Sequence, residues 1–378
     1  MTKTENSDVI ALIRGAGFHA PETITVMITD GCNLRCRHCW LDCRDLSAAT
    51  LVSAESISRL IDGFTELGGT QVNLTGGEFL SHPQWHAILK SCCDHPLIRN
   101  VCLQTNATLM THRHLENLQD LQLHKLMIQV SLDGARARTH NLVRGPGSYA
   151  RTMAALRLLT EVGLGMQIQV AFTEMAHNFY ELPHLLDIVD QMGLGRLISS
   201  TLVDGGRAAA SDYIAPPTPT QYWELIDLYQ TDAHFSTLYD QKATISAIEW
   251  FKHRTEFTEN SCDCIKNLFV DARGKLYPCT MLLLDRFASA NVYSQTLEQA
   301  IRTAMVQWRE IPLLNRQRRV ALTKCDACAG AKHCGGGCMG RAAASQGDLM
   351  APEDRCSLRK AVYHWTLLPG IGSFCHRG

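Results

Sequence analysis

The sequence predicts an α/β fold, a partial (β/α)6 TIM-like barrel followed by a cysteine-rich C-terminal region. Three observations carry that expectation. Between Thr23 and Val203, short β-like runs alternate with amphipathic helical runs six times. Apolar and polar residues alternate within those runs with one shared parity. The 16 cysteines of the 378-residue chain fall mostly into two groups, one starting at Cys32 and one beyond residue 261.

The β-like runs, in order, are ITVMIT, TQVNLT, NVCLQTN, LMIQVSLD, GMQIQVAF and RLISSTLV. Between the first two, Ile57, Leu60, Ile61, Phe64 and Leu67 recur at helical spacing. Ser53 precedes them as an N-cap and Gly68-Gly69 stops them. Tyr149, Met153, Leu156 and Leu159 repeat the spacing after Ser148, and Gly163 ends that helix. Alternating β and α units require a parallel sheet with right-handed crossovers. Six units make a partial barrel rather than a closed one of eight.

One face of the strands is apolar: Val72 and Leu74, Val101 and Leu103, Ile128, Val130 and Leu132, Met166, Ile168 and Val170. The other carries Asn73, Thr75, Gln104, Asn106, Gln129, Ser131, Asp133, Gln167 and Gln169. Parallel strands covered on both faces usually read as continuous apolar runs. Here one side faces helices and the other is expected to line a polar lumen.

The pattern breaks at AAASDYIAPPTPT, around Ala208–Thr220. A helical stretch follows over at least Gln221–Tyr229, then an irregular segment to about Asn260. The expected division is a lead-in over 1–22, a barrel core over 23–207, a linker with a helical segment over 208–260, and a cysteine-rich region with a tail over 261–378. Leu367–Gly378 shows little periodicity. Hydrophobic residues make up 46% and charged residues 19%, with a formal charge of −1. That excludes a disordered chain and argues against nucleic-acid or membrane partners. The start MTKTENSDVI lacks a secretory signal, and no apolar run nears the roughly 20 residues that span a bilayer. A cytoplasmic chain with reduced thiols is expected, which turns the cysteines toward metal or redox chemistry.

After the first strand comes Cys32-Asn-Leu-Arg-Cys36-Arg-His-Cys39. Three thiolates in one loop do not complete a tetrahedral zinc site. They can hold three irons of a 4Fe–4S cluster and leave the fourth open. The loop sits at the C-terminal end of a strand, where β/α barrels build their sites. Cys43 follows as a nearby free thiol.

CNLRCRHC resembles the cluster loop of radical S-adenosylmethionine (SAM) enzymes. Thr75-Gly76-Gly77-Glu78 after the second strand resembles the family's GGE motif, which meets the SAM amino group. Gln104-Thr105-Asn106 follows the third strand. Ser131-Leu-Asp133-Gly134, with Arg144 downstream, resembles the segment that contacts the SAM carboxylate. The resemblance implies Cys32, Cys36 and Cys39 as ligands of a SAM-binding 4Fe–4S cluster. It implies SAM contacts from His38, Gly76, Gly77, Glu78, Asn106, Ser131 and Arg144. His38 stands where many members carry Tyr or Phe, and Phe79 where Pro is frequent after GGE. Reductive cleavage of SAM to a 5′-deoxyadenosyl radical, which abstracts hydrogen from a substrate, is the implied activity.

The C-terminal region reads Cys264-x9-Gly274-x4-Cys279, then Cys325-x2-Cys328-x5-Cys334-x3-Cys338, and finally Cys356. This resembles the seven-cysteine SPASM extension of some radical SAM enzymes. It implies two auxiliary 4Fe–4S clusters, three clusters in all. Cys264, Cys279 and Cys338 would serve the first, and Cys325, Cys328, Cys334 and Cys356 the second. Either Cys262 completes the first cluster or one iron stays open. Glycines 335–337 would let the loop wrap tightly between Cys334 and Cys338. A pair of zinc sites is the competing reading of these thiols. Cys92, Cys93, Cys102 and Cys375 fit neither set.

The resemblance implies an oxidoreductase that modifies a peptide or protein side chain, with tetrapyrrole or haem biosynthesis as the alternative. A non-catalytic iron–sulfur or zinc scaffold is the alternative of another class. Expected partners are the peptide or small-molecule substrate and an electron donor such as a flavodoxin or ferredoxin. The 31 residues before Cys32 are too few for a winged-helix peptide-recognition domain, so a separate protein or direct contact would have to deliver a peptide. Thr280 stands where sulfatase-maturing members carry aspartate, which argues against formylglycine formation. No general base is legible.

Overall fold

The computed structural model describes residues 3–211, 213–254, 256 and 262–364. Six parallel strands form its centre: β1 (Thr23–Met27), β2 (Gln71–Thr75), β3 (Asn100–Thr105), β4 (Leu126–Ser131), β5 (Ile168–Glu174) and β6 (Arg196–Thr201). They lie side by side in chain order, each crossing to the next through helical segments, as the six expected units require. Val72, Leu74, Val101, Leu103, Ile128, Val130, Leu132, Ile168 and Val170 are at most 1% exposed. Each such side chain contributes about 1.5–3 kcal/mol by leaving water. The helix Ala54–Glu66 covers this face with Ile57, Leu60, Ile61 and Phe64, and Ser53 caps it by accepting from the Ser56 amide.

The opposite face is polar and internally bonded. Gln104 and Gln169 both donate to Gln129 Oε1, at 3.5 and 3.3 Å, and Asn73 donates to Thr25. Met166 and Gln167 do not follow the expected parity. Residues Gly165–Gln167 form a 3-10 turn ahead of β5, and Met166 is 72% exposed. The turn resets the two-residue period, so the apolar run starts at Ile168.

Three short strands extend the sheet: β7 (Ala243–Thr244), β8 (Asn267–Val270) and β9 (Leu276–Tyr277). The order is β9-β8-β1-β2-β3-β4-β5-β6-β7. β8 pairs in parallel with β1, Thr23 opposite Asn267, so the start of the cysteine-rich region is built into the barrel sheet. The segment before it, expected to be irregular, folds as the helices Ala233–Lys242 and Ser246–Lys252 after Pro219–Thr231. Its apolar residues are few and unevenly spaced. Tertiary packing against β6 holds it, with Ala247, Ile248 and Phe251 buried. The lead-in contains a helix, Lys3–Gly15, that packs on Leu297–Trp308.

The cysteine-rich region is latched to the core. Arg341, 4% exposed, donates to Asp354 at 2.7 Å and to the carbonyls of Thr201 and Leu202 at the end of β6. Trp223 donates to the Ala361 carbonyl at 3.0 Å. Among the described residues, no helix is long and apolar enough to cross a membrane. Cys375 and Leu367–Gly378 lie outside the described residues.

Candidate functional site

The loop after β1 folds back on itself. Gly31–Cys32 pairs in parallel with Arg44–Asp45, which closes the segment carrying Cys36 and Cys39 into a ring over the strand ends. Cys32, Cys36, Cys39 and Cys43 line one cavity of about 260 Å³, together with His38, Gly76, Gly77, Asn106, Ser131 and Arg144. Gln104, Gln129 and Thr173 of the polar strand face line it as well. The polar lumen therefore opens directly under the three clustered thiols.

Of the residues expected to contact SAM, Glu78 does not reach this cavity. Its carboxylate is 1% exposed and accepts from Thr105 Oγ1 at 2.5 Å, the Asn106 amide at 2.7 Å and the Leu80 amide at 2.9 Å. Burial pushes its pKa up against those bonds. Glu78 thus ties the loop after β2 to the loop after β3. The glycines beside it serve packing as well. A Cβ on Gly77 would stand 2.2 Å from the Gly31 carbonyl oxygen. The Gly77 and Glu78 amides donate to Thr29 and Gly31, both at 2.8 Å. The close approach that glycine permits is to the cluster loop itself.

Asp133 is the hub of the other wall. Arg144 Nε donates to its Oδ2 at 2.5 Å, the Thr173 amide donates to Oδ1 at 2.8 Å, and His38 Nε2 lies 3.4 Å from Oδ2. Burial raises the Asp133 pKa, but Arg144 and His38 outweigh it and hold it at about 2. Burial, with Arg144 nearby, keeps His38 neutral with a pKa of about 4. Arg144 Nη2 stands 3.3 Å from His38 Nε2, which accepts from it in one tautomer and donates to Asp133 in the other; the proton sits on Nδ1 only in the first. That Nδ1 is buried and has no partner among the described residues. A lined cavity with an unpartnered ring nitrogen and a charged guanidinium fits a polar, carboxylate-bearing ligand. Asn106 donates to Asn33 at 3.0 Å and lies 4.0 Å from Cys32 Sγ.

Arg207 was not singled out by any motif. It follows β6 and grips the cluster loop through Cys36 O at 2.9 Å, Cys43 O at 3.1 Å and Asp42 at 2.8 Å. Its amide donates to Cys39 O at 3.0 Å. Only the meeting of two distant loops reveals it.

A second cavity, of about 300 Å³, is lined by Cys262, Cys264, Cys279, Cys334 and Cys338. Cys264 Sγ lies 3.2 Å from Cys262 Sγ and 3.8 Å from Cys279 Sγ. Burial raises the thiol pKa values of Cys325 and Cys334, and Cys356 lies close enough to both to add to the shift. Gly335, Gly336 and Gly337 all have φ between +53° and +87°, and this left-handed run carries the chain between Cys334 and Cys338. Glu353 supports it: it accepts from the Cys338 amide at 2.9 Å, Arg355 at 2.6 Å and Arg359 at 2.5 Å. Arg318, fully buried, donates to Gly337 O at 2.7 Å. No three Cys, His, Asp or Glu side chains among the described residues converge on a point that would hold a single metal ion. Two cavities walled by thiols on several sides instead suit a larger, four-iron cluster.

Residues 26–175 of the chain match the Radical SAM superfamily, and the fold and the thiol-lined cavity at the strand ends agree with that match. The spacing of the C-terminal cysteines resembles the SPASM extension. The family uses SAM and a 4Fe–4S cluster. The chain is 28% identical to the AdoMet-dependent heme synthase of Methanosarcina barkeri strain Fusaro, over 90% of this chain and 97% of that protein. It is 26% identical to AlbA, the antilisterial bacteriocin subtilosin biosynthesis protein of Bacillus subtilis, over 76% of this chain and 61% of AlbA. The crystal structure of Streptococcus suis SuiB bound to its precursor peptide SuiA superposes with a TM-score of 0.72, at 17% identity, over 93% of this chain and 80% of SuiB.

Proposed function

We propose that the chain binds SAM beside a 4Fe–4S cluster held by Cys32, Cys36 and Cys39, and modifies a peptide or protein side chain. The chemistry these groups supply when bound is electron-driven cleavage of SAM to a 5′-deoxyadenosyl radical that takes hydrogen from the substrate. The observation that carries the reading is the single cavity shared by those three thiols, the Gly76-Gly77 backbone, Ser131 and Arg144. Arg144, oriented by Asp133, would hold the SAM carboxylate, and the unpartnered His38 Nδ1 would find a polar partner there. Glu78 would act at one remove, by fixing the Asn106 loop. The polar lumen would receive the substrate.

Cys264, Cys279, Cys338 and Cys262 would hold one auxiliary cluster; all four line one cavity, whose wall also includes Cys334. Cys325, Cys328, Cys334 and Cys356 would hold the other. AlbA and the SuiB–SuiA complex support a peptide substrate. The end-to-end match to a heme synthase favours a second reading, oxidation of a tetrapyrrole.

Anaerobic reconstitution tests the reading. About twelve irons per chain are expected from three four-iron clusters, with 5′-deoxyadenosine formed under dithionite. Replacing Cys32, Cys36 and Cys39 by Ala should remove about four irons and all SAM cleavage. Zinc in place of iron, or cleavage that survives the triple variant, would sink the reading. Product analysis with candidate peptides and with an iron tetrapyrrole separates the two substrates.

A further inference from the structure

Cys43 lies outside the set of three thiols assigned to the cluster, yet it is packed against one of them. Its Sγ is 3.9 Å from Cys39 Sγ, within reach of a sulfur hydrogen bond, and the side chain is 4% exposed. The placement is built. Asp42 adopts a left-handed φ of +47°, which turns the chain back so that Cys43 faces Cys39. Arg207 holds Asp42 at 2.8 Å, and Arg35 and Arg207 both donate to the Cys43 carbonyl, at 2.9 and 3.1 Å. Two arginines thus fix one thiol. Cys43 also forms part of the wall between the 260 Å³ cavity and a second one of about 490 Å³ behind the loop.

We infer that Cys43 is a positioning residue that donates an S–H···S hydrogen bond to the Cys39 thiolate and raises the reduction potential of the SAM-binding cluster. The inference rests on the proposed role of Cys39 as an iron ligand. A ligand thiolate has no proton to give, so Cys43 is the only donor of the pair. A hydrogen bond to a cluster sulfur stabilises the more negative, reduced cluster and so favours taking the electron. Were Cys43 a fourth ligand instead, the iron that SAM needs would be closed.

The test is an EPR-monitored redox titration of the reconstituted enzyme, following the signal that changes on adding SAM. Cys43→Ala should keep its iron and lower that midpoint potential. Cys43→Ser, whose hydroxyl can still donate, should recover part of the shift. Cys92→Ala, which removes a core thiol from the helix Trp85–Asp94, controls for packing loss and should leave the midpoint in place. An unchanged midpoint in Cys43→Ala, equal shifts in the Ala and Ser variants, or loss of one cluster's iron from Cys43→Ala would overturn the inference. A wild-type enzyme with no SAM-responsive signal would instead overturn the assignment of Cys39, and this inference with it.

Discussion

Arg144 and Asp133 form a buried ion pair, Nε to Oδ2 at 2.5 Å, and its carboxylate partner is fully buried. The pair joins the loop after β4 to His38 on the cysteine loop. It is the link between the two sequence segments that the proposed SAM site needs together.

Breaking that pair should cost both stability and ligand. Asp133→Asn leaves the Arg144 charge buried without its counter-charge, which costs about 3–5 kcal/mol. It also frees the guanidinium to turn. Urea unfolding should show the lower midpoint, and equilibrium dialysis a weaker hold on SAM. A variant that keeps both unchanged would show that Arg144 needs no orienting partner.

Gly77→Ala would push a methyl carbon against Gly31. Overpacking of this kind costs about 1–3 kcal/mol, and here the strain falls on the loop leading into Cys32. Iron content should drop more than the melting temperature does. Full iron loading in the variant would refute the packing role.

His140 sets an acid limit. Burial first, then Arg144, hold its pKa near 3, and its Nδ1 accepts from the Asp133 amide at 3.1 Å. The unfolded chain takes up a proton below about pH 6.5 that the native ring refuses, so stability falls as pH drops, by up to about 1.4 kcal/mol per unit. The Asp133 contribution is constant down to about pH 4, where the unfolded carboxylate begins to take up its proton, and is lost from there toward its native pKa of about 2. Urea midpoints at pH 7 and pH 5 should differ in the wild type and differ less in His140→Asn. Equal losses would exclude His140 as the cause.

Arg341→Ala removes the latch between the cysteine-rich region and β6 and strands Asp354. A loss of about 3–5 kcal/mol is expected for a broken buried pair. Limited proteolysis should release the C-terminal region faster from the variant. Equal digestion rates would place the coupling elsewhere, in the β1–β8 pairing.

Much of this architecture is legible because its signals are local. The six strands, the Ser53 cap and the Gly68 stop follow from periodicity and capping, which act over a few residues. The three cysteines of the first loop are legible for the same reason, since their spacing is short. Glu78 shows where local reading fails. Its motif is plain, but its carboxylate bonds to Thr105 and to the Asn106 amide, residues nearly thirty positions on, and no spacing reports that.

The sequence alone determined the order of the six barrel strands, the polar parity of the lumen from Ile168 on and in the earlier strands, and which thiols stand in groups. Each depends on a two- or 3.6-residue period or on a short spacing. The tertiary structure alone decided that β8 joins the sheet beside β1, that Arg207 grips the loop of Cys36 and Cys39, and that Cys43 points at Cys39. These relationships exist only once the strand ends are gathered and distant loops share one surface. The glycines of the Gly76-Gly77 pair changed meaning on the same ground: the backbone they admit is that of the cysteine loop.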